Sequence, residues 1–500
     1  MSNPPGIYIK ENDQSPYTPE SSTSVCAMIG TASKGPVNER TLITDEGTLV
    51  SVFGPPSASH LALYSAIEYL RYGRVLWFVR VANYDAAAGV SIRNTGDTQD
   101  AVVVTAVSTG SWGNDIAVVV AAGSDASTYR LTVTHNGVAV ETYDRLLVGT
   151  ANIASANYIA TRINGISAYI SVVPDDAETT LLVGTVDLIG GDDGATVEDA
   201  DVIGTAGNPP TTEATGMQLF VDADAVNIDV IAVPGNSNAA VVAAGVTIAE
   251  TRQDCVYLPD PPSGLSVRDV VAWSNTINGG LNSTYVDVNY GGWIWVKDGY
   301  TGVQVLTPPS GFRASVYAYN DKVAFPWFAP MGFERATLHS AIALEHSPTA
   351  GEQEYMYTNG NIVNPIVNFA GQGIVMWGQR TSSRLSTKLD RVAPRRLLNY
   401  LKKSFKPALR IVIGMPNDEM TWLMVENLLT PILAYVRANR GLTPTDQMPL
   451  GYAVVCDDTT NTILVRATKT LRAKVFIVPA DAVEVLELTV NITDGGVAVV

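Results

Sequence analysis

The sequence predicts a multidomain α/β protein, with a layered α/β middle domain, a β-rich domain inserted into it, and an α+β C-terminal domain. Three observations carry this reading. Apolar strand-like runs alternate with helical periodicity over 24–82 and again over 227–290; the stretch between, 91–205, reads as strands and turns; and from about 365 two long helical patterns precede a group of short strands.

In the first segment SVCAMIGT (24–31) is a short apolar run ending at Gly30. Leu63, Ala66, Ile67 and Leu70 then recur at helical spacing before Gly73, and VLWFVRVA (75–82) reads as a strand buried on both faces. The order resumes with NIDVIAVPG (227–235), a helix over 238–252, DCVYLP (254–259), a helix over 266–277 and STYVDVNY (283–290). Between these segments, β-branched runs such as AVVVTAV, IAVVVAA and YRLTVTHNGVAVETY are separated by turn formers, and HNG at 135–137 predicts a tight hairpin. The acidic GDDGATVEDAD (191–201) reads as the exit linker of the insertion.

Further on, the pattern predicts an amphipathic helix at 393–406, a strand LRIVIG at 409–414, a helix over 418–440, a strand running to Cys456, and a strand around 471–478. In a last strand, 483–492, Leu486, Leu488, Val490 and Ile492 alternate with polar residues. The partition is therefore 1–20, 21–90 with 206–364, 91–205, 365–482 and 483–500.

The formal charge of −17, from 32 basic and 49 acidic residues, opposes a broad electrostatic grip on nucleic acid or anionic lipid, both of which need positive surface. The opening MSNPPGIYIKEND lacks a charged segment followed by an apolar one, and no run of about eighteen apolar residues occurs, so a soluble chain made and kept in a cytoplasm is expected. Cys26, Cys255 and Cys456 have no paired spacing; they read either as small buried hydrophobes or as cross-links between subunits.

Catalytic and cofactor signatures are missing. There is no phosphate loop and no GxGxxG after a strand, and GQGIVMWG (371–378) has the wrong spacing. His339 and His346 are seven residues apart, on one face if that region is helical, but no metal spacing joins them to His60 or His135. No GxSxG elbow occurs, while paired-carboxylate chemistry stays open on spacing alone. In VVCDDTTNT (454–462), Asp457 and Asp458 fit either a magnesium site or a turn closed by side-chain to backbone bonds. The helix APRRLLNYLKKSFK sets an apolar stripe of Leu397, Leu398, Leu401 and Phe405 against Arg395, Arg396, Lys402, Lys403 and Lys406, a basic face that is either solvated or a dock for an acidic partner.

Ordered motifs then resemble one family. PPGIYIKE (4–11), STSVCAMIGTASKGPVNERTLITDEGTLVSVFG (22–54), LWFVRVA (76–82) and GSWGNDIAV (110–118), followed by NPIVNFAGQGIVMWGQRT (364–381), VAPRRLLNYLKKSF (392–405), PNDEMTWLMVENLLTPIL (416–433) and VVCDDTTNT, are similar in order to the tail sheath proteins of contractile bacteriophages and related injection systems.

The resemblance implies a layered, subtilisin-like α/β middle domain, extended terminal arms, no active site and no cofactor. It implies a structural subunit that stacks as hexameric rings around a tail tube and contracts to drive the tube through a host envelope for genome delivery. Its expected partners are itself, the tail tube protein, and the baseplate and tail terminator proteins, with neither direct nucleic acid contact nor membrane insertion. Its place is the virion tail, assembled in the host cytoplasm. Under it, Ile7, Tyr8 and Ile9 at one end and Leu486, Leu488, Val490 and Ile492 at the other become arm strands that join subunits by β-augmentation, and the basic helix faces the tube. Cys26 and Cys456 become a pair for an intermolecular disulfide. Another self-assembling shell or tube component, or a hydrolase-like α/β enzyme, stays open as an alternative.

Overall fold

The computed structural model describes residues 24–488 apart from 84, 209–211 and 359–361. They form two compact units, divided between Arg396 and Leu397.

The first unit is built on a mainly parallel sheet. In chain order it begins with β1 (Cys26–Gly30), β2 (Thr41–Ile43), α1 (Glu46–Phe53), α2 (Leu61–Leu70) and β3 (Leu76–Arg80). The Asp45 carboxylate starts α1 by accepting from the Thr48 amide at 2.8 Å, satisfying one of the orphan donors of a helix start.

The chain then departs into the insertion, with β4 (Gly89–Arg93), β5 (Asp100–Ala106), β6 (Ile116–Ala122), β7 (Tyr129–His135), β8 (Val138–Leu146), α3 (Ile159–Ile163), β9 (Ile170–Pro174) and β10 (Gly184–Asp187). Two antiparallel sheets result, ordered β4-β5-β9 and β10-β6-β7-β8. Ile116, Val118 and Val120 point inward from alternate positions of β6 and meet Val102, Val104, Leu131 and Val172 in one apolar cluster. The predicted hairpin joins β7 to β8 through Asn136 and Gly137, both at positive φ (50° and 75°), as a tight turn matched to strand twist requires.

Returning, the chain adds α4 (Asp199–Ile203), β11 (Val230–Ala232), α5 (Ala239–Arg252), β12 (Val256–Leu258) and α6 (Val267–Thr276). The sheet order is β12-β11-β1-β3-β2, with only β2 antiparallel to its neighbour. Ala27 and Ile29 of β1 pack with α5 and α6, whereas Cys26 and Met28 pack with α1, α2 and the later helix α7 (Pro309–Val323). Both faces are thus covered, which is why the predicted strands read as unbroken apolar runs.

Around α7 lie β13 (Asn289–Tyr290), β14 (Ile294–Lys297), β15 (Gln304–Thr307), β16 (Ala341–Leu344), α8 (Ala350–Tyr357), β17 (Asn364–Phe369) and β18 (Gly373–Met376). Because β17 pairs in parallel with β13, residues 365–396 belong to this first unit, not to a C-terminal domain starting at 365.

The second unit takes over within α9 (Val392–Leu409) and contains α10 (Glu419–Ala438), β19 (Tyr452–Val455), α11 (Ile463–Ala467) and β20 (Lys474–Ile477). Trp422, Val425, Leu429 and Cys456 form its core with Phe405, Leu409, Val412 and Val475. The strand expected over 409–414 is absent: α9 runs on to Leu409 and a 3₁₀ turn covers Arg410–Val412.

Candidate functional site

Among the described residues no group of three or more His, Cys, Asp or Glu side chains is placed to hold a metal. His339 and His346 flank strand β16 and do not share a helix face. His60 sits at the N-cap position of α2 without a side-chain capping bond, its Nδ1 3.0 Å from the Thr31 hydroxyl, and His135 packs among Trp112 and Tyr169.

VVCDDTTNT closes the β19 strand with a turn. Asp457 Oδ1 accepts from the Thr459 hydroxyl (2.6 Å) and the Thr459 and Thr460 amides (3.0 and 3.1 Å), which holds its carboxyl below the ordinary value, the hydroxyl contributing most. Fully buried Asn461 donates to the carbonyls of Asp457 (3.1 Å) and Arg472 (3.0 Å) and accepts from the Arg472 amide (2.7 Å). Asp458 points to solvent. One carboxylate is committed to the backbone and the other is exposed, an arrangement suited to fastening a loop, not to gripping a cation.

The predicted basic face divides. Arg395 and Arg396 are 3% and 5% exposed. Arg396 pairs with Asp321 at 2.6 Å and lies 4.3 Å over the Tyr317 ring, and Arg395 lies 4.3 Å over Tyr285. These two guanidiniums anchor the start of α9 inside the first unit and present no outer surface, which corrects their assignment to a docking face. Lys402 and Lys406 are exposed and Lys403 is half-buried.

The cysteine pairing is corrected too. Cys26 is fully buried in the central strand β1, where burial pushes its thiol well above the ordinary range, and Cys456 is buried in the core of the second unit. A bridge between Cys26 and another subunit requires opening the sheet.

Ile7, Tyr8, Ile9, Val490 and Ile492 lie outside the described residues. Leu486 and Leu488 belong to no helix or strand and are 85% and 82% exposed, so the expected C-terminal strand is not formed by the described residues 483–488. In the same unit β19 and β20 form a sheet of two strands only, leaving both outer edges open among the described residues. Such an edge is a template for a further strand.

Sequence reasoning missed a buried network around Asp287. Arg313 Nε donates to Asp287 Oδ2 at 2.6 Å, Asn364 Nδ2 to Oδ1 at 2.6 Å, and the Tyr317 hydroxyl to Oδ2, with all four residues at or near zero exposure. Arg313 and Tyr317 at i and i+4 in an uncapped polar-looking stretch were the available signal.

A sequence profile for the phage tail sheath protein central domain covers residues 206–382. Those residues are similar to that domain. The chain is 26% identical over 299 residues to a tail sheath protein of Vibrio phage KVP40, covering 55% of this chain and 43% of that one. It is 26% identical over 265 residues to that of Enterobacteria phage T4, covering 50% and 39%. It therefore spans less than half the length of either relative. A sheath tail protein from Listeria innocua has the same fold, with a TM-score of 0.62 at 19% identity over 88% of this chain and 90% of that one. The helical sheath of the anti-feeding prophage in its contracted state also matches, with a TM-score of 0.57 at 15% identity over 98% and 99%. The chain thus has a mixed α/β, multidomain fold that resembles those of the sheath proteins it matches. Among the described residues no helix is long and apolar enough to cross a membrane.

Proposed function

We propose that the chain is the structural subunit of a contractile tail sheath, polymerising as stacked hexameric rings around a tail tube and shortening to drive that tube through a host envelope for genome delivery. The supporting observation is the likeness to a contracted helical sheath along 98% of the chain, joined to a sheath central domain at 206–382. On this reading the layered α/β domain is the subtilisin-like one of the family, put to mechanical and not catalytic use. The partners are other copies, the tube, the baseplate and the terminator, in a virion tail assembled in the host cytoplasm.

The open edges of β19 and β20 support arm exchange. Residues 7–9 or 486–492 of neighbouring copies would complete this two-stranded sheet, tying subunits together by main-chain bonds while flanking residues bend. Lys402 and Lys406, with Lys403, would meet an acidic tube surface in a contact weak enough to break on contraction.

Negative-stain electron microscopy of the purified chain, alone and with tube protein, tests this. Hollow helical polymers wide enough to surround a tube are expected. Small monomers under both conditions would overturn the proposal, and solid or narrow filaments would favour another shell or tube component.

A further inference from the structure

Inserted domains commonly swing on their two linkers. The attachment of this insertion is instead built like a core. The two chain crossings pair with each other antiparallel, at Asn83 with Ala195, Ala86 with Asp192 and Gly89 with Ile189. Ala86 and Asp192 exchange both main-chain bonds, at 3.0 and 3.1 Å. Asn114 then ties the exit strand by donating to the Gly191 carbonyl and accepting from its amide, both at 2.8 Å. Ser111 fastens Asp193 through its amide (2.8 Å) and hydroxyl (2.7 Å).

Beside this neck the α/β domain contributes a charged peg and a clamp. Arg80, at the end of β3 and 1% exposed, donates to the carbonyls of Ala32 (3.0 Å) and Gly35 (2.9 Å) in its own domain. The same guanidinium reaches the carbonyl and hydroxyl of Thr109 in the insertion (3.2 and 3.0 Å) and sits 3.5 Å from Asp85, which also accepts from the Thr109 hydroxyl. One buried cation therefore satisfies both domains at once, and its removal strands acceptors on each side. The Gly35 amide donates to Ser108 at 2.9 Å. Lys34 lays its ammonium 5.3 Å from the Trp112 ring and 5.8 Å from Tyr169, both in the insertion.

We infer that the insertion is locked to the α/β domain through Arg80 and Lys34, so that 24–396 moves as one rigid lever. The lock is a property of the isolated chain and does not depend on the sheath reading. Within that reading, it places the bending during contraction outside the neck.

Spin labels on Thr142→Cys in β8 and Glu250→Cys in α5 test it, since both positions are exposed and the native thiols are buried. Pulsed dipolar spectroscopy on the full chain should give one distance distribution, no wider than that of a control pair within the α/β domain, Arg71→Cys with Glu250→Cys. A broad or two-peaked distribution in the unaltered background overturns the inference. In a Lys34→Ala chain, which leaves the buried core intact, the distribution should broaden and hydrogen exchange at the Ala86, Gly89 and Asp192 amides should rise roughly tenfold. Unchanged exchange there would remove Lys34 from the lock, and failure of tube formation with a narrow distribution would count against the sheath reading alone.

Discussion

At the scale of single residues, the polar side chains buried in the β19 turn and around α7 fasten backbone and neighbouring helices. Asn461 is the clearest case, since its side-chain amide bonds both the carbonyl and the amide of Arg472 and adds a further bond to the Asp457 carbonyl in a buried loop. Asn461→Ala should cost roughly 2–3 kcal/mol through those stranded groups and loosen the second unit first, seen as faster hydrogen exchange at the Asp457 and Thr460 amides with the first unit unchanged. Asp260 makes a different prediction. Fully buried, it accepts from the Ser310 amide and hydroxyl (2.7 and 2.6 Å) and the Gly235 amide (3.0 Å), yet burial outweighs these bonds and pushes its carboxyl up to about 6. A raised folded value means that stability is fully present below the ordinary carboxyl range and is lost as pH rises through about 6. The stability of the wild type minus that of Asp260→Asn should therefore fall by about 2 kcal/mol between pH 4 and 7; a difference that stays flat across that interval would sink the assignment. The sequence showed DDTTN as polar, but only the fold shows which carboxylate is committed to the backbone.

At the scale of elements, two helices of the first unit approach closely. A Cβ on Gly311 of α7 would stand 2.5 Å from Ser65 Cα and 2.7 Å from its carbonyl oxygen in α2, and both are backbone atoms that cannot rotate away. Gly311→Ala should force α2 and α7 apart and cost about 3 kcal/mol, whereas Gly351→Ala in α8, with open space around it, should be neutral or stabilising by up to ~1 kcal/mol, both read by urea denaturation. Elements were legible where local pattern and burial agree. β1, α5, α6 and the Asn136-Gly137 hairpin fall where periodicity and turn chemistry put them. Helix α7 escaped because it buries Ser310 and Arg313, whose partners Asp260 and Asp287 lie far along the chain, together with Asn320, so its apolar stripe is broken. LRIVIG misled in the opposite way. Its β-branched run looks like a buried strand, but Ile413 is 86% exposed and no described strand pairs with it.

At the scale of the whole molecule, the insertion and the separate C-terminal unit were legible from texture, but the boundary between units was not, because the β13–β17 pairing that holds 365–396 in the first unit joins residues about 75 apart. The same limit applies to the basic helix. Spacing alone places five cations together, while the fold takes Arg395 and Arg396 inward to Asp321 and two tyrosine rings. The two sets are therefore expected to fail differently. Arg396→Met removes the 2.6 Å ion pair to the buried Asp321 carboxylate, and it should destabilise the chain by about 3–5 kcal/mol, whether or not a tube is present. Reversing Lys402, Lys403 and Lys406 to Glu should cost folding far less than Arg396→Met, since exposed and half-exposed charges contribute little, and should spare tube-free polymers while weakening assembly on tube protein. Co-sedimentation with purified tubes across a salt series separates the outcomes. A charge-led contact weakens in the wild type as salt rises, because screening shortens to roughly 10 Å at 0.1 M and less beyond, and the triple reversal should already behave at low salt as the wild type does at high salt. Equal binding of both chains at every salt concentration would place the tube contact elsewhere on the subunit and leave the lysines as plain solvated surface.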